Sequence, residues 1–187
     1  AVASIDLIAG GNIKLENAYV SAEAIGNGVD KATATTTIDA GSVKINNSHV
    51  EAVAYHEGEF SEATADAEAT VDITSDSDLY VTGIDKNDAG VLAEAFSGAN
   101  NYATVNMTAA NQAEIYADAS GAARVEAYAY DNNISNTASV TLVADDVLVE
   151  ADNSSIAGIN AEATYGVDND ATVNVTANDG NVDVDAW

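Results

Sequence analysis

The chain has 187 residues, 47% of them hydrophobic, with no cysteine and no proline. Thirty-one acidic side chains against five Lys and Arg give a formal charge of −26, a field that repels nucleic acid and anionic membrane surfaces. Apolar content is too high for a disordered acidic tail, disulfides are excluded, and no apolar run approaches the roughly 20 residues that cross a bilayer, so neither nucleic acid nor membrane insertion is expected.

Read from the N-terminus, the first phrase is Ala3-Ile5-Leu7-Ala9, with apolar residues at every second position, which is the period of a strand. A turn at Gly10-Gly11-Asn12 follows, then the inward pair Ile13/Leu15, then Val20-Ala22-Ala24 and a corner at Gly26-Asn27-Gly28. The same three phrases then return. Coil two reads Ala34-Thr36-Ile38-Ala40, a turn at Gly41-Ser42, Val43/Ile45, Val50-Ala52-Ala54 and a corner at His56-Glu57-Gly58-Glu59. Coil three reads Ala69-Val71-Ile73-Ser75, Asp76-Ser77-Asp78, Leu79/Val81 and Val91-Ala93-Ala95, with a lengthened second turn from Thr82 to Gly90. Coil four reads Ala103-Val105-Met107-Ala109, Asn111-Gln112, Ile115/Ala117, Val125-Ala127-Ala129 and Asp131-Asn132-Asn133. Coil five reads Ala138-Val140-Leu142-Ala144, Asp145-Asp146, Val147/Val149, Ile159-Ala161-Ala163 and Gly166-Val167-Asp168-Asn169. Coil six begins Ala171-Val173-Val175-Ala177 and continues through Asn178-Asp179-Gly180 to Val182/Val184.

Leu7, Ile38, Ile73, Met107, Leu142 and Val175 are 31, 35, 34, 35 and 33 residues apart by subtraction, the period of a solenoid. The expected fold is all-β: a parallel β-helix (β-solenoid) with three strands per coil of about 34 residues and roughly 5.5 coils. Residues 1–187 form one solenoid domain in this reading, with coils at about 3–33, 34–68, 69–102, 103–137, 138–170 and 171–187. Identical phrases stack at roughly 4.8 Å, and Gly, Asn and Asp supply the tight corners. Neither end shows a cap, which predicts end-to-end stacking as a homo-oligomer or within a longer parent chain. Ala1, with no basic leader before it, is read as the start of a mature or excised secreted segment, placing the chain outside the cell or on its surface.

The outer faces offer several sites. Thr70-Asp72-Thr74, Thr104-Asn106-Thr108 and Thr172-Asn174-Thr176 resemble the grid of an ice-binding solenoid, interrupted by Ile8, Asp39 and Val143. Asn46, Asn106, Asn133, Asn153 and Asn174 each open an Asn-x-Ser/Thr triplet, an N-glycosylation acceptor in secreted chains. Asp76, Asp78, Asp145, Asp146 and Asp179, with Asp183 and Asp185, supply oxygen ligands suited to Ca²⁺, though no calcium-binding motif surrounds them and no other cofactor is expected. Tyr55, Phe96 and Tyr130 occupy equivalent outward positions, with Tyr128 beside them, forming a column that either stabilises the sheet or docks a glycan or surface partner.

Catalysis has little support. Asp145-Asp146 is the sole adjacent acidic pair, Arg124 the sole arginine, and His49 and His56, expected at exposed positions, have no nucleophile motif near them. The chain is expected not to be an enzyme; a carbohydrate-active β-helix and an ice- or glycan-binding module are the alternatives. Residues 9–22 (AGGNIKLENAYVSA) and 39–52 (DAGSVKINNSHVEA) resemble filamentous-haemagglutinin-type repeats. That resemblance implies a secreted, non-catalytic β-helix serving as the body of a surface fibre, sheath or adhesin; its period departs from the roughly twenty residues common in that family.

Overall fold

The computed structural model describes residues 1–27, 29–57, 64–131 and 135–186. Alternation of small or apolar residues with polar ones makes every regular element a strand: β1 (Val2–Glu16), β2 (Tyr19–Gly26), β3 (Ala32–Asn46), β4 (His49–His56), β5 (Ala67–Ser75), β6 (Leu79–Gly83), β7 (Asp88–Phe96), β8 (Asn100–Ala109), β9 (Gln112–Ala117), β10 (Ala122–Tyr130), β11 (Ser135–Ala144), β12 (Asp146–Ala151), β13 (Ile156–Thr164), β14 (Asp168–Ala177) and β15 (Val182–Ala186). All pairings among the described residues are parallel, as a solenoid requires.

The coils present three faces. The first stacks the N-terminal halves of β1 and β3 with β5, β8, β11 and β14; the second stacks their C-terminal halves with β6, β9, β12 and β15; the third is β2, β4, β7, β10 and β13. The central interior column runs Leu7, Ile38, Ile73, Met107, Leu142, Val175 without a slip. On the third face Ala22, Ala52, Ala93, Ala127 and Ala161 stack, as do Ala24, Ala54, Ala95, Ala129 and Ala163. These alanines let the opposite walls meet with larger side chains from the first two faces. Ile38, Ile73, Met107 and Leu142 are wholly enclosed, and burying each contributes about 1.5–3 kcal/mol. Thr36 also lies in the core, its hydroxyl donating to the Glu51 carbonyl at 2.7 Å.

The chain departs from the sequence reading in four places. Gly10-Gly11-Asn12 and Gly41-Ser42 are not turns: β1 and β3 run straight through them, and Gly10 and Gly11 together oppose Gly41 as a bulge. A Cβ on Gly41 would lie 3.1 Å from the Gly11 carbonyl oxygen, so this bend is made by glycine letting two backbones approach. The inward pair of coil four is Ala113/Ile115, not Ile115/Ala117, because Ala113 pairs with Leu79 and Ile115 with Val81. His56 is buried, not exposed, with Nε2 3.2 Å from the Asp66 carbonyl oxygen.

The fourth departure concerns corner length. From the last inward residue of face two to the first of face three, Leu15 to Val20 and Ile45 to Val50 are 5 residues, by subtraction. Val81 to Val91, Ile115 to Val125 and Val149 to Ile159 are each 10. The insertion is therefore shared by coils three to five, not peculiar to coil three. The third corner reverses the trend: Ala24 to Ala34 is 10 and Ala54 to Ala69 is 15, whereas Ala95 to Ala103, Ala129 to Ala138 and Ala163 to Ala171 are 8, 9 and 8.

Candidate functional site

The calcium candidates lie on corners between the first and second faces, and the strands place them in two groups. Asp76 and Asp78 sit on the corner of coil three, and Asp145, Asp146 and Asp179 on those of coils five and six, with the Asn111-Gln112 corner between the groups. The Asp146 carboxylate is engaged, accepting a hydrogen bond from the Asn181 amide at 3.0 Å, and the Asp78 carbonyl accepts from the Ser75 hydroxyl at 2.8 Å. Among the described residues, no three His, Asp or Glu side chains converge in a way that would hold a metal ion. Of these carboxylates, that of Asp146 caps its corner.

The glycosylation candidates are spread over two faces and a corner. Asn46 is half-buried on the second face between Glu16 and Thr82. Asn153 is exposed on a corner with φ of 51°, its amide donating to Asp118 at 2.6 Å. Asn106 and Asn174 occupy one outward column of the first face, two coils apart with Thr141 between them. Asn106 is half-buried and donates to Asp72 at 2.8 Å, while Asn174 is exposed. Asn133 lies outside the described residues. On the same face, Ser4, Thr35, Thr70, Thr104, Ser139 and Thr172 form one unbroken hydroxyl column, flanked by columns that Asp6, Asp39, Asp72, Ile8 and Val143 interrupt.

The aromatic column forms as its spacing requires. Tyr55 and Phe96 stack with centroids 4.8 Å apart and planes 4° apart; Phe96 and Tyr130 stack at 5.1 Å and 5°. Each tyrosine hydroxyl reaches back one coil to a glutamate, Tyr55 to Glu23 at 3.1 Å and Tyr130 to Glu94 at 2.8 Å. Tyr128 stands one column inward along the strand and donates to Glu126 at 2.9 Å. Tyr19, at the first coil, donates to Glu51. Burial, then the neighbouring carboxylate, pushes the Tyr130, Tyr55 and Tyr128 hydroxyls up, and the bond to Glu51 takes Tyr19 up to about 12. The central Phe96 is covered on both ring faces by its neighbours, so the column presents ring edges outward.

The sequence reading missed a buried polar line at the third corner. Asn101 and Asn136 are fully buried and in register with each other and with Asn169. The Gly98 amide donates to Asn101 Oδ1 at 2.8 Å, and Asn101 Nδ2 donates to Asn136 Oδ1 at 2.8 Å. Asn136 Nδ2 in turn reaches the Thr164 carbonyl at 2.7 Å, the Asp131 carbonyl at 3.0 Å and Asn169 Oδ1 at 3.1 Å. The signal was present as spacings of 35 and 33 residues, by subtraction, but it was masked by the abundance of Asn at corners.

A shallow cavity of about 150 Å³ opens on the third face over Gly90, walled by His49, Asp88, Leu92, Arg124 and Glu126. Gly90 pairs with His49 on one side and Arg124 on the other, so its missing side chain is a notch in an outward column.

These features define a parallel β-solenoid with an apolar interior of alanine and larger aliphatic side chains. No family model, no curated protein and no solved structure matches the chain.

Proposed function

We propose that the chain is a non-catalytic structural rod, the solenoid body of an extracellular surface fibre, sheath or adhesin of the filamentous-haemagglutinin kind. The observation that carries this reading is where apolar side chains meet water. Every exposed large hydrophobic residue among those described lies towards an end of the stack: Val2, Ile8, Tyr19, Ile25 and Val29 in coil one, and Ile156, Tyr165, Val167, Val173, Val182 and Val184 in coils five and six. Bare strand edges with exposed apolar columns favour pairing with further coils, from a second copy or from a longer parent chain.

Charge adds a direction to that stacking. Lys14, Lys31 and Lys44 stand in the first two coils, whereas residues 138–187 carry ten carboxylates and no Lys or Arg. Continuing the ladder from coil six onto coil one sets Asp183 beside Lys14 in the outer column of face two. Head-to-tail contact is thereby favoured over contacts between like ends, and a heterologous contact of that kind builds open rods. The acidic flanks keep rods apart sideways unless salt or divalent cations screen them.

Sedimentation and negative-stain imaging test the proposal. Rods that lengthen with protein concentration, and that shorten when Val173 and Val184 are replaced by Lys, are the expected result. A discrete monomer at high concentration across salt conditions would sink it.

A further inference from the structure

The cavity over Gly90 lies on the third face of the middle coils, away from both ends of the stack. Its geometry follows from register: His49, Gly90 and Arg124 are neighbours in one outward column, so His49 and Arg124 stand two strands apart, roughly 10 Å, across a residue with no side chain. The imidazole leans over the glycine, its Nδ1 2.9 Å from where a Cβ would be. Asp88 and Leu92 flank Gly90 along β7, and Glu126 closes the diagonal beside Arg124.

Arg124 is the only arginine of the chain and half-buried. Among the described residues neither its guanidinium nor the His49 imidazole has a hydrogen-bond or ion-pair partner, in contrast to Lys14 and Lys31, which pair with Glu16 and Glu68. Unpaired donors on one column and two carboxylate acceptors beside them surround a floor of Gly90 and the Leu92 side chain. Five guanidinium N–H groups, an imidazole and two carboxylates converging on a small apolar floor match a ligand whose hydroxyls both donate and accept. An anion would face Asp88, Glu126 and the overall charge of −26, and a cation would face Arg124. At about 150 Å³ the cavity is well below the 300–1,000 Å³ of drug-sized sites, enough for one ring.

We propose that this notch binds a single neutral pyranose unit of a glycan, with Arg124 and His49 donating to ring hydroxyls, Asp88 and Glu126 accepting from them, and the sugar's apolar face on Gly90 and Leu92. The site does not depend on rod formation and stands or falls separately from it.

The chain has two histidines, so the His49 Cε1–H resonance reports on the cavity while buried His56 serves as an internal control. Titration with D-glucose, D-galactose and N-acetylglucosamine is expected to shift the His49 signal saturably for at least one of them. A millimolar dissociation constant suits so shallow a site. Arg124→Ala is expected to weaken binding at least tenfold. Gly90→Val, which fills the notch from an outward strand position, is expected to abolish it, with the His56 signal reporting an intact fold in both. No saturable shift with any of the three sugars, a shift that persists in both variants, or tighter binding of D-glucuronate than of D-glucose would each overturn the proposal.

Discussion

Coils one and two pass from the second face to the third in half the chain length that coils three to five use, and coil two spends the difference at the third corner. In the first pair a lone residue at positive φ, Asn17 or Asn47, makes the second corner. In the later three it takes two in succession: Asp85-Lys86, Ala119-Ser120 and Asn153-Ser154. The third corner is short in the later coils, and there the column that holds Ala32 and Ala67 changes to Asn101, Asn136 and Asn169. A short corner folds backbone amides and carbonyls inward, where each must find a partner, and the asparagine side chains supply it. Two solutions to the same circuit thus share one continuous core: in coil two a gain at the third corner offsets the loss at the second, whereas coil one recovers only part of it and has the shortest period, 31 residues from Leu7 to Ile38 by subtraction.

The core itself makes no distinction between the two blocks, so breaking it gives the largest effect. Ile73 stands where they join, wholly enclosed between Ile38 and Met107. Ile73→Asp buries an unpaired charge at a cost of several kcal/mol, and loss of the cooperative melt is expected by circular dichroism. A variant that still melted in one step near the parental temperature would show that the interior column is not continuous.

The asparagine line should matter to one block alone. Asn136→Ala strips one donor from the Thr164 carbonyl, which keeps the Asp131 amide at 3.4 Å, and takes from Asn101 Nδ2 its Asn136 acceptor, a loss of about 1–3 kcal/mol. Native-state hydrogen exchange should quicken in β8, β11 and β14 and stay unchanged in β1 and β3. Uniform quickening would mean that the two blocks open together.

The interior columns were legible in the sequence because a period of two inside a period near 34 leaves little freedom: a slip of one residue would expose every apolar side chain. Corners carry no such constraint. Ala113 and Ala117 flank Ile115 with the same small residue, so alternation alone admits either pair, and choosing Ile115/Ala117 concealed that coils three to five share one corner length. The bends at Gly10-Gly11 and Gly41 read as turns because glycine marks both a turn and a close backbone approach. The cavity over Gly90 was invisible, since it arises only when three coils set His49, Gly90 and Arg124 side by side.

Glycines sharpen the contrast between corners at smaller energies. A Cβ on Gly83 would lie 1.9 Å from the Ala122 carbonyl oxygen, and one on Gly121 would lie 2.5 Å from that of Gly83, so second corners of coils three and four touch through bare backbone. Gly83→Ala is expected to cost about 1–3 kcal/mol. Gly10, in the first block, has nothing within 4 Å of such a Cβ, and Gly10→Ala should change stability by no more than about 0.5 kcal/mol. Thermal melts of the two variants side by side check this; equal losses would erase the distinction.

The smallest effect is an alkaline one, and it compares the two blocks through their tyrosines. Tyr19 in coil one and Tyr130 in coil four both hold the phenol proton more tightly when folded than the ordinary value of 10 would give, but for different reasons. For Tyr19 the leading cause is its hydrogen bond to Glu51; for Tyr130 it is burial beside Phe96, with Glu94 second. Because the folded value is raised, the associated stability is fully present below pH 10 and declines as the pH rises through about 12, where Tyr19 ionises. Glu51→Gln should therefore bring the Tyr19 titration back toward the ordinary range. Glu94→Gln should move Tyr130 less, since its burial remains. Phenolate absorbance followed against pH separates the outcomes. Equal shifts from the two substitutions would mean that the stacked ring of Tyr130 is no more shielded from water than that of Tyr19 at the end of the stack.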